Sequence, residues 1–239
     1  SMGGMIAYAY LGTTQDPAVR SVVTLGSPGS LQFANRMVTL GVTNLKNVRM
    51  FPRISTRLFS KTWGRISGRI PFGLEEVGWH IENMSADAAR LMFWLGFENI
   101  ERGVARSFEA LYLEGKLVSR DRKTDYQARL PKFKAPLLAI AGRNDGLAPP
   151  HTVLQVFNRV GSTDKTYELM SRTNGYSEDF GHADLMVGDR ARFDVYPLIY
   201  RWLDAHQPGA GAVAFQPRPA SEILPSSRNA KAGAPTSRP

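Results

Sequence analysis

The sequence predicts an α/β fold in which a short parallel sheet carries helices on both faces. Three observations point there. Leu137-Leu138-Ala139-Ile140-Ala141 is a run of five apolar residues between Pro136 and Gly142, the pattern of a strand buried on both faces. Two further strand-like runs, 20–26 and 165–171, precede and follow it, with helical segments in between. Val195, Leu198, Ile199, Trp202 and Leu203 then recur at helical spacing over roughly 190–206. Strands alternating with helices build parallel sheets, because a parallel connection needs a crossover.

Each element has its own signal. Met5-Ile6-Ala7-Tyr8-Ala9-Tyr10-Leu11, directly after Ser1-Met2-Gly3-Gly4, reads as an apolar helix over 1–12. Residues 20–26 form a strand that ends in Ser27-Pro28-Gly29. Gly142 closes the central strand and puts Asp145 on the turn beyond it. Pro149 and Pro150 then open a helix with Val153, Val156 and Phe157 on one side. The strand beginning at Lys165 leads through a loop to Phe180-Gly181-His182-Ala183-Asp184 and the last helix. Residues 30–124 read as largely helical, without a matching motif. From Gln207 onward the chain holds six Pro and three Gly with little to pack, so 207–239 reads as a disordered tail.

Composition narrows the function classes. The 239 residues, 43% of them apolar, suffice for one large core or two small ones. No run of eighteen apolar residues indicates a membrane span. The absence of Cys excludes disulfides and thiolate metal sites. No Gly-rich phosphate loop or metal-spaced His cluster stands out, so neither cofactor nor metal is expected. Net charge is +9, unevenly placed: from Pro17 to Leu74 there are nine Lys or Arg and no Asp or Glu. Within it Arg49, Arg53, Arg57, Lys61, Arg65 and Arg69 recur every four residues, interleaved with Phe51, Ile54, Leu58, Trp63, Ile66 and Ile70. Pro52, Gly64 and Gly68 interrupt that amphipathic pattern. A basic amphipathic segment suits an anionic membrane surface or an acidic partner, but a cap with its apolar side over the site and its basic side in water is the preferred reading. No nucleic-acid module accompanies the charge, so nucleic acid is not expected.

Three residues could carry nucleophilic chemistry in chain order: Ser1, Asp145 and His182. A Ser hydroxyl attacks only when a positioned base takes its proton, and that base needs an acid to orient it. Each has a plainer reading. Ser1 also fits a cloning remnant ahead of Met2, Asn144-Asp145-Gly146 is a good turn sequence, and a loop His usually faces solvent. His80, His151 and His206 are the other histidines. His206 suits a helix C-terminus, while Asp184 reads as a helix cap and Asp179 as a loop carboxylate.

Ser1-Met2-Gly3, the segment ending at Pro150 and Gly181-His182 together resemble the α/β-hydrolases, over residues 1–29 and 125–206. The likeness is to the C-terminal two-thirds of esterase, lipase and polyhydroxyalkanoate-synthase-like members. A Cys nucleophile of the synthase kind is disfavoured, since the chain has no Cys. The resemblance implies a partial α/β-hydrolase fold, with the last three sheet strands and their helices, plus a helical cap at 30–124. It implies Ser1 as nucleophile, His182 as base and then acid, and Asp145 as orienter. The Met2 backbone N–H would donate to the oxyanion. The substrate class it implies is a carboxylic ester, small or lipid-like.

The resemblance also implies a chain cut at its nucleophile elbow, with the strand before Ser1 and part of the oxyanion hole supplied from elsewhere. The strand at 20–26 would then expose an edge open to a complementing chain or a second copy. A cytoplasmic location is the expectation, since neither a leader nor a span is visible. The alternative class is a non-catalytic interaction module whose basic region binds an anionic surface. Salt-sensitive binding to anionic vesicles would distinguish it from a hydrolase.

Overall fold

Proline and glycine mark several element boundaries, among them Gly96, Gly115, Gly142 and Pro149. The computed structural model describes residues 1–31, 53–63 and 78–208. Arg49, Phe51, Pro52, Gly64, Arg65, Ile66, Gly68, Arg69 and Ile70, and the tail from 209, lie outside the described residues. Helix α1 (Met2–Thr14) ends at Gln15 in the left-handed conformation, and the Gln15 N–H returns to the Leu11 carbonyl at 3.2 Å. Strand β1 (Val22–Leu25) follows. The insertion after it contributes β2 (Arg53–Ile54), α2 (Thr56–Trp63), α3 (Ala86–Leu95), β3 (Ile100–Glu101) and α4 (Arg102–Glu114). The sheet resumes with β4 (Leu137–Gly142), then α5 (Pro150–Arg159) and β5 (Lys165–Met170). The chain continues through α6 (Asp184–Val187) into α7 (Ala191–Ala205).

The sheet order is β1-β4-β5, parallel throughout, with Val22 opposite Leu137 and Leu137 opposite Lys165. All six residues of β4 are buried, as an apolar run on a central parallel strand requires. Its alternate side chains feed two cores. Leu137, Ala139 and Ala141 pack with Tyr8, Phe133, Val153 and Val156, whereas Leu138 and Ile140 pack with Met170, Phe180, Leu198 and Trp202. On the outer side of β1 no strand is paired among the described residues. An unpaired edge of this kind is a template for another strand.

Phe133 shows how much the first core contributes. It has no exposed surface and meets the Tyr8 ring edge-on, with centroids 6.1 Å apart. Phe133→Ala is expected to lower unfolding stability by about 3–5 kcal/mol, because few neighbours can close such a cavity. Urea denaturation measures this, and a loss below about 1 kcal/mol would contradict the packing.

The insertion departs from the sequence expectation in two respects. It contains a two-stranded antiparallel ribbon, Arg53 opposite Glu101 and Ile54 opposite Ile100, which no sequence signal indicated. The four-residue recurrence of basic residues also crosses an element boundary: Arg53 lies in β2, whereas Arg57 and Lys61 lie in α2. Lys61 sits over the Trp94 ring at 5.4 Å, and Arg57 pairs with Glu98 at 3.6 Å. Trp79, Met84, Ala89 and Phe93 form a small core of their own, against which Ala183 packs. Among the described residues no helix is long and apolar enough to cross a membrane.

Candidate active site

The loops that follow β4 and β5 are laced together by main-chain bonds. The Asn144 N–H donates to the Phe180 carbonyl at 2.8 Å, and the Arg143 N–H to Met170 at 3.2 Å. Gly142 lies so close to the second loop that a Cβ there would stand 2.5 Å from the Phe180 oxygen. Asp145 is buried on the first loop. Its Oδ1 accepts the N–H groups of Leu147 at 2.9 Å and Ala148 at 2.6 Å, which fixes the carboxylate plane. Oδ2 is thereby aimed at His182 Nδ1, 2.8 Å away, on the second loop. An ionised carboxylate only accepts, so Nδ1 carries the proton and Nε2 remains the basic nitrogen.

Ser1 approaches this pair by way of β1. Its nitrogen donates to the Leu25 carbonyl at 2.5 Å, and the next residue, Gly26, abuts both partners. Gly26 has φ +50°, and a Cβ there would lie 2.8 Å from Asp145 Oδ2 and 3.0 Å from His182 Nδ1. The Gly26 N–H continues the ladder to Ile140 at 2.9 Å. The structure thus joins Asp145 and His182 directly, and places Ser1 at the end of β1, one residue from the Gly26 that abuts them. Burial draws the Ser1 amino group down from 8.0 to about 6, against the pull of the Asp145 charge in the other direction. Met2 opens α1, so its N–H is one of the four at a helix start with no partner inside the helix.

Of the two glycines after Met2, only one is required by packing. A Cβ on Gly4 would stand 2.1 Å from Ser27 Oγ, so Gly4 lets α1 cross close over the end of β1. Gly3, the motif position, has nothing within 4 Å. Four residues on, the buried Tyr8 hydroxyl meets Thr24 Oγ1 at 2.7 Å and ties the helix to the strand again. Between α1 and α4 lies a cavity of about 380 Å³, lined on its apolar side by Met2, Ile6, Phe108, Leu111, Leu117 and Tyr126.

The remaining histidines take other places. His151 stands exposed in the first turn of α5. His206 follows α7, with Nδ1 on the Trp202 carbonyl at 2.7 Å and Nε2 on Asp164 at 3.0 Å. His80 belongs to the arm of the insertion that packs on Gly181. Asp179 takes the Arg172 N–H at 3.0 Å. Asp184 is not a simple cap: it is fully buried as the first residue of α6, and its Oδ2 accepts Gly181 N–H at 2.8 Å and Asn83 Nδ2 at 2.7 Å. Burial raises its pKa, and these bonds oppose the rise. Among the described residues no cluster of three or more His, Asp or Glu is placed to hold a metal ion.

Sequence reasoning missed Gly26, Asn83 and Asp184 as parts of this site. A glycine ending a strand was the one available sign for Gly26. Asn83 carried none, because its partner is 101 positions away.

No protein-family model and no curated protein matches the chain. Solved structures do resemble it. A monoacylglycerol lipase from Paleococcus ferrophilus superposes with TM-score 0.56 at 15% identity, over 87% of this chain and 66% of that one. A bromoperoxidase from Bacillus anthracis gives 0.52 at 18% identity, over 84% and 64%. A soluble variant of the Saccharomyces cerevisiae monoglyceride lipase, in complex with a substrate analog, gives 0.52 at 15%, over 87% and 63%. The chain therefore spans less than two-thirds of the length of these structures.

Proposed function

The chain has the α/β-hydrolase fold, and from that premise we propose that it carries the acid–base half and the nucleophile of a serine esterase acting on apolar acyl esters. The observation that carries the reading is the bond between buried Asp145 and part-buried His182, 2.8 Å long and set against Gly26, the neighbour of the carbonyl that holds Ser1. In this reading the Ser1 hydroxyl proton passes to His182 Nε2 as Oγ bonds the ester carbonyl carbon. His182 returns the proton to the departing alcohol, leaving an acyl-enzyme, and the same base then activates water to release the acid. Asp145 holds the Nδ1–H tautomer throughout and stabilises the imidazolium. The Met2 N–H donates to the developing oxyanion, a contribution of about 3–4 kcal/mol for such a donor.

No cofactor enters this chemistry. The cavity beside Met2 offers apolar walls for an acyl chain, which fits the lipid substrates named for two of the similar structures. The reading includes a further strand on the open edge of β1, supplied outside the described residues. Such a strand would hold Ser1 in its turn and complete the oxyanion hole.

A fluorophosphonate probe tests the reading. The protein is expected to be labelled at Ser1, with the adduct located by peptide mass, and Ser1→Ala is expected to stay unlabelled. A folded protein that resists the probe would overturn the proposal.

A further inference from the structure

His182 is held from both flanks by one arm of the insertion, residues 78–84. The N–H of Ala183, the residue after it, donates to the Gly78 carbonyl at 2.8 Å. The N–H of Gly181, the residue before it, donates to Asp184 Oδ2 at 2.8 Å, and that oxygen also receives Asn83 Nδ2 at 2.7 Å. The same amide nitrogen donates to the Asp179 carbonyl at 2.9 Å, and the Asn83 main-chain carbonyl accepts the Asp189 N–H at 2.9 Å. One buried side chain therefore bridges Asp179 and Asp184, on either side of the imidazole, and its own main chain adds a third tie.

We infer that Asn83 is a positioning residue for His182, acting through Asp184, so that the insertion sets whether the imidazole is held against Asp145. Chemistry makes the couple mutual. A carboxylate with no exposed surface needs donors, and an amide buried to 3% needs acceptors. Losing the Asn83 amide removes a donor from Asp184 Oδ2, the oxygen that also holds the Gly181 N–H beside His182. The arm is in turn anchored in the insertion's own core, since Trp79 packs on Phe93 of α3 with ring centroids 5.1 Å apart. Ala183 packs into that same core, one residue from His182. A displacement of α3 therefore reaches the imidazole through packing and through the Asn83 amide together. The inference rests on the reading of His182 as the catalytic base.

The test is a proton NMR and kinetic comparison of Asn83→Ala with the parent, at a temperature where both are folded. The parent is expected to show a far-downfield His182 Nδ1 proton from the Asp145 bond, identified by its loss in His182→Gln. Asn83→Ala is expected to broaden or shift that signal, and to lower kcat on the order of 10- to 100-fold with KM near the parent value. The reciprocal exchange Asn83→Asp with Asp184→Asn restores an amide–carboxylate pair and is expected to recover part of both. Should Asn83→Ala fail to fold, Asn83→Leu fills the volume without a donor and is read in the same way. An unmoved signal, with kcat within about twofold of the parent, overturns the inference. If the signal moves but the parent turns over no ester, the positioning role stands and the hydrolytic reading falls.

Discussion

Asp145→Asn is expected to lower kcat for ester hydrolysis by about 10,000-fold while leaving the fold and KM nearly intact. The size follows from the division of labour between the two carboxylate oxygens. Oδ1 is engaged by the Leu147 and Ala148 N–H groups, and Asn can still offer an acceptor there. The other atom then becomes an NH2 facing His182 Nδ1, where Oδ2 stood at 2.8 Å. Two donors cannot share that contact, so the ring is driven to the tautomer with its proton on Nε2. That tautomer cannot accept a proton from Ser1. Steady-state kinetics on protein shown by its melting curve to be folded would decide the matter. Retention of more than about a tenth of parental kcat would remove Asp145 from the mechanism.

Gly26→Ala is the second large effect, and it acts on stability and turnover at once. At φ +50° an L-residue carries about 1–2 kcal/mol of backbone strain. The new methyl also enters at 2.8 Å from Asp145 Oδ2 and 3.0 Å from His182 Nδ1, closer than real Cβ atoms stand. Since the Asp145 plane is fixed by two main-chain donors, the imidazole is the group that yields. A displacement of that order is expected to cost on the order of 100-fold in kcat. Gly3→Ala serves as the contrast, because nothing lies within 4 Å of its Cβ position inside a helix. It is expected to leave stability unchanged or raise it by roughly 0.5–1 kcal/mol. Equal losses from the two substitutions in thermal unfolding would refute the steric account.

The sheet was legible because its signals are local. Five apolar residues between Pro136 and Gly142 can hardly be anything but a doubly covered strand, and all six β4 positions are buried. The meeting of Asp145 and His182 is half legible: each sits on the loop after a strand, Asp145 close behind β4 and His182 much further behind β5, and parallel strands bring their carboxyl ends together. Gly26 and Gly4 were not, because the need for a missing side chain arises only when another element passes close by. The Asn83–Asp184 pairing joins an unmatched insertion to the core, and no spacing rule spans such a gap. The basic recurrence marks no single element: Arg53 belongs to a ribbon whose partner, Glu101, lies far along the chain.

The parallel register of β1 against β4 has a consequence in units of length. Ser1 is fastened to β1 through Leu25, whereas Asp145 follows β4 directly. A slip of one residue between those two strands would shift Ser1 by roughly 3.3 Å, more than the whole range over which a hydrogen bond survives. The same slip would turn Val22 away from the Tyr8 side and Val23 away from the Trp202 side. Val22 and Val23 thus act as a vernier: apolar side chains with no chemistry of their own calibrate the distance between Ser1 and the Asp145–His182 pair.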